Sequence, residues 1–169
     1  MESPVAVGWN DSDPEREADL PKSLGQPGPC SCDSGEPCGT GAPPYPWTRQ
    51  IEIIAVTDDD AVTDDGRELL AQLGARGVED VIVMGVHTNI CVLGRPYGIR
   101  QLTYWGKRAL LCRDLTDSFH RDARGHDWGT ARTIEHNERY WCPSVSSDQL
   151  VGGKPFRFPD EVARSSPPT

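Results

Sequence analysis

Positive charge is in short supply in this chain. Its 17 Lys and Arg residues face 26 Asp and Glu, a formal net charge of -9 over 169 residues. The acidic residues lie along the whole sequence, so a phosphate backbone or an anionic membrane surface would be repelled over most of it, and nucleic acid is not an expected partner. Long apolar runs are missing as well. No stretch of about eighteen apolar residues is present, and the N-terminus lacks the basic and apolar blocks of a secretion signal. The expectation is a soluble, cytoplasmic protein without a membrane partner. Six cysteines occur, at Cys30, Cys32, Cys38, Cys91, Cys112 and Cys142. They follow no even disulfide framework, and three sit in apolar or strand-like surroundings, so composition does not demand oxidation. No internal repeat is visible.

Residues 1–46 hold nine of the fifteen prolines, many glycines and few apolar residues. Such a segment cannot bury enough surface to offset the entropy of ordering, and it reads as loop or partly disordered lead. The charged run Asp13 to Leu24 is the exception, because Pro14 suits the first position of a short helix. From Trp47 the texture changes. Ile51, Ile53, Ile54 and Val56 are β-branched and closely spaced, which predicts a strand. Thr63, Asp64 and Asp65 then offer N-cap oxygens, Glu68 falls where a capping box would need it, and Leu69, Leu70 and Leu73 form one apolar stripe before Gly77.

The run Asp80-Val-Ile-Val-Met-Gly85 is continuously apolar, the pattern of a parallel strand covered by helices on both faces. After the turn His87-Thr88-Asn89, Ile90, Val92, Leu93, Ile99 and Leu102 recur at helical spacing until Gly106. Pro96 interrupts that pattern, so either a kink near Gly94 or a restart with Pro96 in a first turn is expected. Ala109-Leu-Leu-Cys112 leads into Arg113-Asp114-Leu115-Thr116-Asp117 as a further parallel strand meeting its C-terminal loop. Thr130 to Tyr140 reads as a helix, Val145 as a short last strand, and residues from Gly152 as a loose tail. Alternating strands and helices predict a three-layer α/β/α domain over residues 47–151 with a parallel sheet, whose C-terminal edge is where ligands bind. Cys91, Asp114 and Asp117 all map to that edge.

Cys91 follows the apolar strand by one tight turn and lies in the first turn of the next helix, where free N–H groups and the helix dipole favour a thiolate. Such a setting favours the nucleophilic form of sulfur and supplies donors for the oxyanion of an attacked carbonyl. The string Gly77-Val-Glu-Asp-Val-Ile-Val-Met-Gly-Val-His-Thr-Asn-Ile-Cys91-Val92 closely resembles the nucleophile segment of the isochorismatase-like cysteine hydrolases, a superfamily that includes nicotinamidases and other small-amide hydrolases. Gly85, Val86, Thr88 and Cys91 carry the match, and the resemblance extends from about Trp47 to Leu150. It implies a Rossmann-like fold with a six-stranded parallel sheet, a cis peptide before His87, and an oxyanion hole made by the backbone N–H groups of His87 and Cys91. Thr88 and Asn89, on the same turn, are the candidate substrate contacts.

The chain departs from that pattern in two places. The family's Asp ends a first, central strand, yet no apolar strand precedes residue 47, and Asp11 and Asp13 fall in loop-like sequence. The family's Lys has no counterpart between residues 47 and 90; Lys22 lies in the Pro-rich lead, and Arg49 cannot readily shuttle a proton. The sequence therefore reads as an N-terminally shortened relative, with a first strand or strands missing and an exposed sheet edge that invites homo-oligomerisation. Two functions are expected in order. The first is a cysteine hydrolase acting on a small amide or related C–N substrate without metal or cofactor. The second is a catalytically silent ligand-binding or subunit-interaction module of the same fold.

Other residues rank lower. Cys30, Cys32 and Cys38 suit either a zinc site, a strained disulfide or free thiols, and three ligands without a nearby His favour the last. His87 is also a candidate for substrate contact, whereas His120, His126 and His136 are expected on polar loops or a helix surface. Asp114 and Asp117 read first as turn and helix-start residues. Trp47, Tyr97, Trp105, Trp128 and Trp141 read as core or interface aromatics.

Overall fold

The computed structural model describes residues 14–17, 20, 51–119 and 126–158. In chain order the elements are α1 (Pro14–Glu17), α2 (Gly66–Ala75), β1 (Asp80–Val86), a π turn (Thr88–Val92), α3 (Ile99–Tyr104), β2 (Arg108–Asp117), α4 (His126–Tyr140), β3 (Ser144–Val145) and α5 (Ser147–Val151). The protein is an α/β structure. Its three strands lie in the order β1-β2-β3, and both neighbouring pairs are parallel. Parallel neighbours need crossovers rather than hairpins. The π turn and α3 connect the first pair, and α4 the second.

Several local expectations hold. The short helix α1 begins at Pro14, whose fixed φ and missing N–H cost nothing at a helix start. Asp65 caps α2, accepting from the N–H groups of Arg67 at 2.8 Å and Glu68 at 3.0 Å. Glu68 does not close a capping box. Its carboxylate accepts instead from the Thr63 hydroxyl at 2.5 Å, while that hydroxyl accepts from the Asp65 N–H at 3.1 Å. At the other end, Gly77 takes φ +64° and the Val78 N–H donates to Leu73 O at 2.9 Å, a glycine stop of the Schellman type.

The strand expected at residues 51–56 is absent. The chain turns there, with the Ile54 N–H donating to Ile51 O at 3.1 Å, and Ile53 is 86% exposed. Branched side chains favour extended backbone, but a strand persists only with a ladder partner, and none is present for this segment among the described residues. The expectation that β1 is covered on both faces also fails. Val81, Val83 and Gly85 face inward, whereas Ile82, Met84 and Val86 are 39%, 51% and 59% exposed. Three strands, not the six implied by the resemblance, are present among the described residues.

Pro96 breaks the helix completely. Helical backbone runs from Thr88 through Gly94, the segment Arg95–Gly98 turns, and α3 restarts at Ile99 with Gly98 as its N-cap. Pro96 therefore lies in the connecting turn and not in a new first turn. Helix α4 starts four residues earlier than expected, at His126. The core gathers Leu93, Ile99, Leu102, Leu111 and Ile134, each almost fully buried, with Val92, Ala109 and Cys142 around them. Phe158 joins this cluster, and its ring meets that of Phe156 edge-on at 4.8 Å. Beyond Gly152, where a loose tail is expected, Phe156 and Phe158 pack on the core while residues 152–155 and 157 are exposed. Among the described residues no helix is long and apolar enough to cross a membrane.

Candidate active site

The candidate site is built where β1 ends. Gly85 takes φ +114°, a value that side-chain-bearing residues rarely adopt, and the peptide between Val86 and His87 is cis. The chain then enters the π turn, in which the N–H groups of Ile90 and Val92 both donate to His87 O, at 3.0 and 3.1 Å. Cys91 lies in that turn, half-buried and with a free thiol. The Arg95 N–H donates to Cys91 O at 3.2 Å, and Gly98 packs back over the turn. A Cβ at Gly98 would stand 2.7 Å from Val92 O and 3.0 Å from Cys91 O. Only glycine allows that approach.

Cys91 is therefore not in the first turn of a regular α-helix, as its spacing suggested. The helical stretch of residues 88–94 is short, opens with π geometry and is ended by the Pro96 turn. A macrodipole needs several aligned turns of peptide units, so the dipole argument for activating this thiol does not apply. What the turn has instead is attachment to β2.

That attachment uses the two residues expected to touch substrate. Thr88 is fully buried, and its hydroxyl shares a hydrogen bond of 2.6 Å with the Thr116 hydroxyl, which donates in turn to Gly85 O at 2.8 Å. Asn89 Nδ2 donates to Phe119 O at 2.9 Å, and its Oδ1 accepts from the Phe119 N–H at 2.9 Å. Both side chains thus direct their polar groups at the scaffold. His87 is half-buried beside them, with its ring centroid 5.2 Å from that of Phe119 at a tilt of 51°.

The two aspartates of the same strand end are also engaged. Asp117 Oδ1 accepts from the Ser118 N–H and from the Thr130 hydroxyl, both at 2.8 Å. The β1–β2 register shifts between Val83, paired with Leu111, and Gly85, paired with Thr116. This irregularity frees Asp114 to reach α5, where it accepts from the Ser147 N–H at 2.8 Å and the Ser147 hydroxyl at 2.5 Å. Burial pushes the Asp114 carboxyl up, but the Ser147 hydroxyl and N–H outweigh it and hold the group below the usual carboxylate range. Cys112 Sγ donates to Asp114 Oδ1 at 3.5 Å, and burial, followed by this carboxylate, pushes that thiol up. Burial also pushes Cys142 up to about 11.

Lys107 lies away from the cysteine turn. Lys107 Nζ donates to Val78 O at 2.8 Å and to Glu79 at 2.9 Å, at the N-terminal end of the sheet. A seven-residue strand separates it from the cysteine turn, roughly 20 Å. Asp11, Asp13, Lys22, Arg49 and the Cys30, Cys32 and Cys38 group lie outside the described residues, as do His120 and Trp47. Among the described residues no group of three His, Cys, Asp or Glu side chains is placed to hold a metal ion. His136, expected on a surface, is buried; its Nε2 accepts from Trp141 Nε1 at 3.3 Å. Trp141 itself has the guanidinium groups of Arg16 and Arg100 near its ring, at 5.3 and 5.2 Å from the centroid.

Sequence reasoning missed Thr116, Phe119 and Ser147. Thr116 lay in a polar run already tied to the sheet edge, but nothing local marked Phe119, and Ser147 matters only because of the strand irregularity. No protein-family model, no curated protein and no solved structure matches the chain.

Proposed function

We propose that this chain is a cysteine hydrolase of the isochorismatase-like type, acting on a small amide or related C–N substrate. The observation that carries the reading is the placement of a half-buried free thiol, Cys91, on a pinned turn at the C-terminal rim of a parallel sheet, the edge at which such sheets bind ligands. In the reaction, Cys91 Sγ attacks the carbonyl carbon, the C–N bond breaks, and the amine departs with the thiol proton. Water then hydrolyses the thioester to the acid and returns the proton to sulfur. The backbone N–H groups of His87 and Cys91 are assigned to the oxyanion. Thr88 and Asn89 hold the turn rather than the substrate.

The same reading gives the sheet its finer identity, an isochorismatase-like sheet of which the described residues supply three strands. It also includes self-association, supported by the bare Ile82, Met84 and Val86 face. A chain that sediments as a monomer at micromolar concentration removes that part.

One observation favours a second reading, a catalytically silent ligand-binding or subunit-interaction module. Asp114 and Asp117, the carboxylates that end β2, are hydrogen-bonded into the scaffold, and Lys107 sits at the opposite end of the sheet. General-base help is worth roughly a hundred- to ten-thousand-fold in rate. Ammonia release from a panel of small primary amides separates the two. Turnover that Cys91→Ser abolishes supports the hydrolase. Equal rates in both proteins remove Cys91 from the mechanism, and no turnover on any amide leaves the silent module.

A further inference from the structure

Strand β2 ends at Asp117, opposite Val86, so Ser118 and Phe119 lie past the ladder. Ser118 is fastened by its N–H to Asp117 Oδ1 and to Thr130 Oγ1, at 2.8 and 3.1 Å. Phe119 is fastened by Asn89, whose carboxamide donates to its carbonyl and accepts from its N–H, each at 2.9 Å. Two bonds to one residue fix rotation as well as position. The turn and β2 are already joined through Thr88, Thr116 and Gly85, so this second tie is not required to connect them. What it adds is the location of Phe119, whose ring stands against His87 at 5.2 Å.

We propose that Asn89 is a positioning residue that sets the width of the approach to Cys91, acting through Phe119. The carboxamide holds the Phe119 backbone so that the ring stands beside His87 as one wall of the opening. Without the clamp the ring swings away, and larger electrophiles reach the sulfur. This rests on the reading of Cys91 as the reactive group. It is also specific to the amide of Asn89, because an alanine there loses both bonds while leaving the Thr88 connection in place.

The test compares two reagents of one chemistry, N-methylmaleimide and the bulky N-pyrenylmaleimide, on the full chain, with each cysteine followed by peptide mass spectrometry. In Asn89→Ala the pyrenyl-to-methyl rate ratio at Cys91 is expected to rise by about fivefold or more. Phe119→Ala, which removes the ring but not the backbone bonds, is expected to raise it equally, and the double variant is expected to add nothing further. Cys112 and Cys142 stay protected throughout, which general loosening would not permit. An unchanged ratio in either single variant overturns the proposal, and so does additive behaviour or labelling of the two buried thiols. A wild-type Cys91 that reacts with neither reagent removes the nucleophile reading and this inference together, whereas a reactive Cys91 with unaltered size selectivity removes the inference alone.

Discussion

The three described thiols differ enough in surroundings for their order of alkylation to be worked out in advance. Cys91 is half-buried on its turn, Cys112 is wholly buried and Cys142 is 5% exposed. Burial raises Cys142 from 9.0 to about 11, with the nearby Glu138 charge adding to it and the Leu111 N–H opposing it. At about pH 8 a thiol at 11 is ionised to about one part in a thousand, against about one in ten for a thiol at 9.0. The hundredfold loss of thiolate is partly offset, because a more basic thiolate is a better nucleophile; a Brønsted slope of about 0.4–0.5 returns roughly tenfold. A net chemical penalty of about tenfold remains, and burial multiplies it by the rarity of the local opening that would admit a reagent. Cys112 is slowed by the same causes, burial first and then the Asp114 carboxylate. Iodoacetamide treatment of the native chain at about pH 8, with quenched samples read by peptide mass mapping, should therefore label Cys91 at least about tenfold faster than Cys142, with Cys112 also lagging. In concentrated guanidinium the three rates should converge. If Cys112 or Cys142 keeps pace with Cys91 in native buffer, the assignment of these thiols to core and rim is wrong, and with it the case for Cys91 as the accessible nucleophile.

Three other perturbations follow from single contacts. Asp65→Ala removes the acceptor for the Arg67 and Glu68 N–H groups and should lower the midpoint of urea unfolding; an unchanged midpoint would show that Thr63 takes over the cap. Gly98→Ala places a Cβ 2.7 Å from Val92 O, a backbone atom that cannot rotate away, and should destabilise by about 1–3 kcal/mol. It should also alter Cys91 labelling in the native state, whereas a silent substitution would show that the α3 start does not press on the cysteine turn. The Asp114 carboxyl is held below its ordinary value of 3.8, so its contribution to stability is complete above that value and is lost as pH falls through the folded one. The stability gap between wild type and Asp114→Asn should accordingly narrow on acidification in thermal melts, and a gap that widens would contradict the Ser147 contact.

The strands β1 and β2, helices α2 and α4, and the Cys91 turn were legible because each carries a local signal: an apolar run, a cap, or a glycine stop. Asp65 and Gly77 bound α2 where their chemistry requires it. The segment at residues 51–56 misled for the converse reason. Its composition suits a strand, but ladder formation depends on a partner that composition does not reveal. The same limit explains β1, whose unbroken apolar run cannot say which face is covered. Pro96 announced a break without giving its form, since the close return of Gly98 onto the Val92 and Cys91 carbonyls is a contact between backbones. His136 and Phe158 were assigned to the surface and the tail from polar or proline-rich neighbours, whereas packing against the core decided both.

The candidate site shows the same division more sharply. Cys91, His87, Thr88 and Asn89 are contiguous, and their string could be read directly. The groups that give the turn its shape are Thr116 and Phe119, and they lie 28 and 30 residues from the side chains that bind them. Their positions follow from the parallel register that sets Val86 beside Asp117. Once that register is fixed, a residue immediately past the end of β2 must sit across from the turn immediately past β1. A carboxamide at position 89 then meets the Phe119 backbone, donating to its carbonyl and accepting from its N–H. The Thr88 hydroxyl and the Asn89 carboxamide are thus hydrogen-bonded to β2 and to the residue two beyond its end.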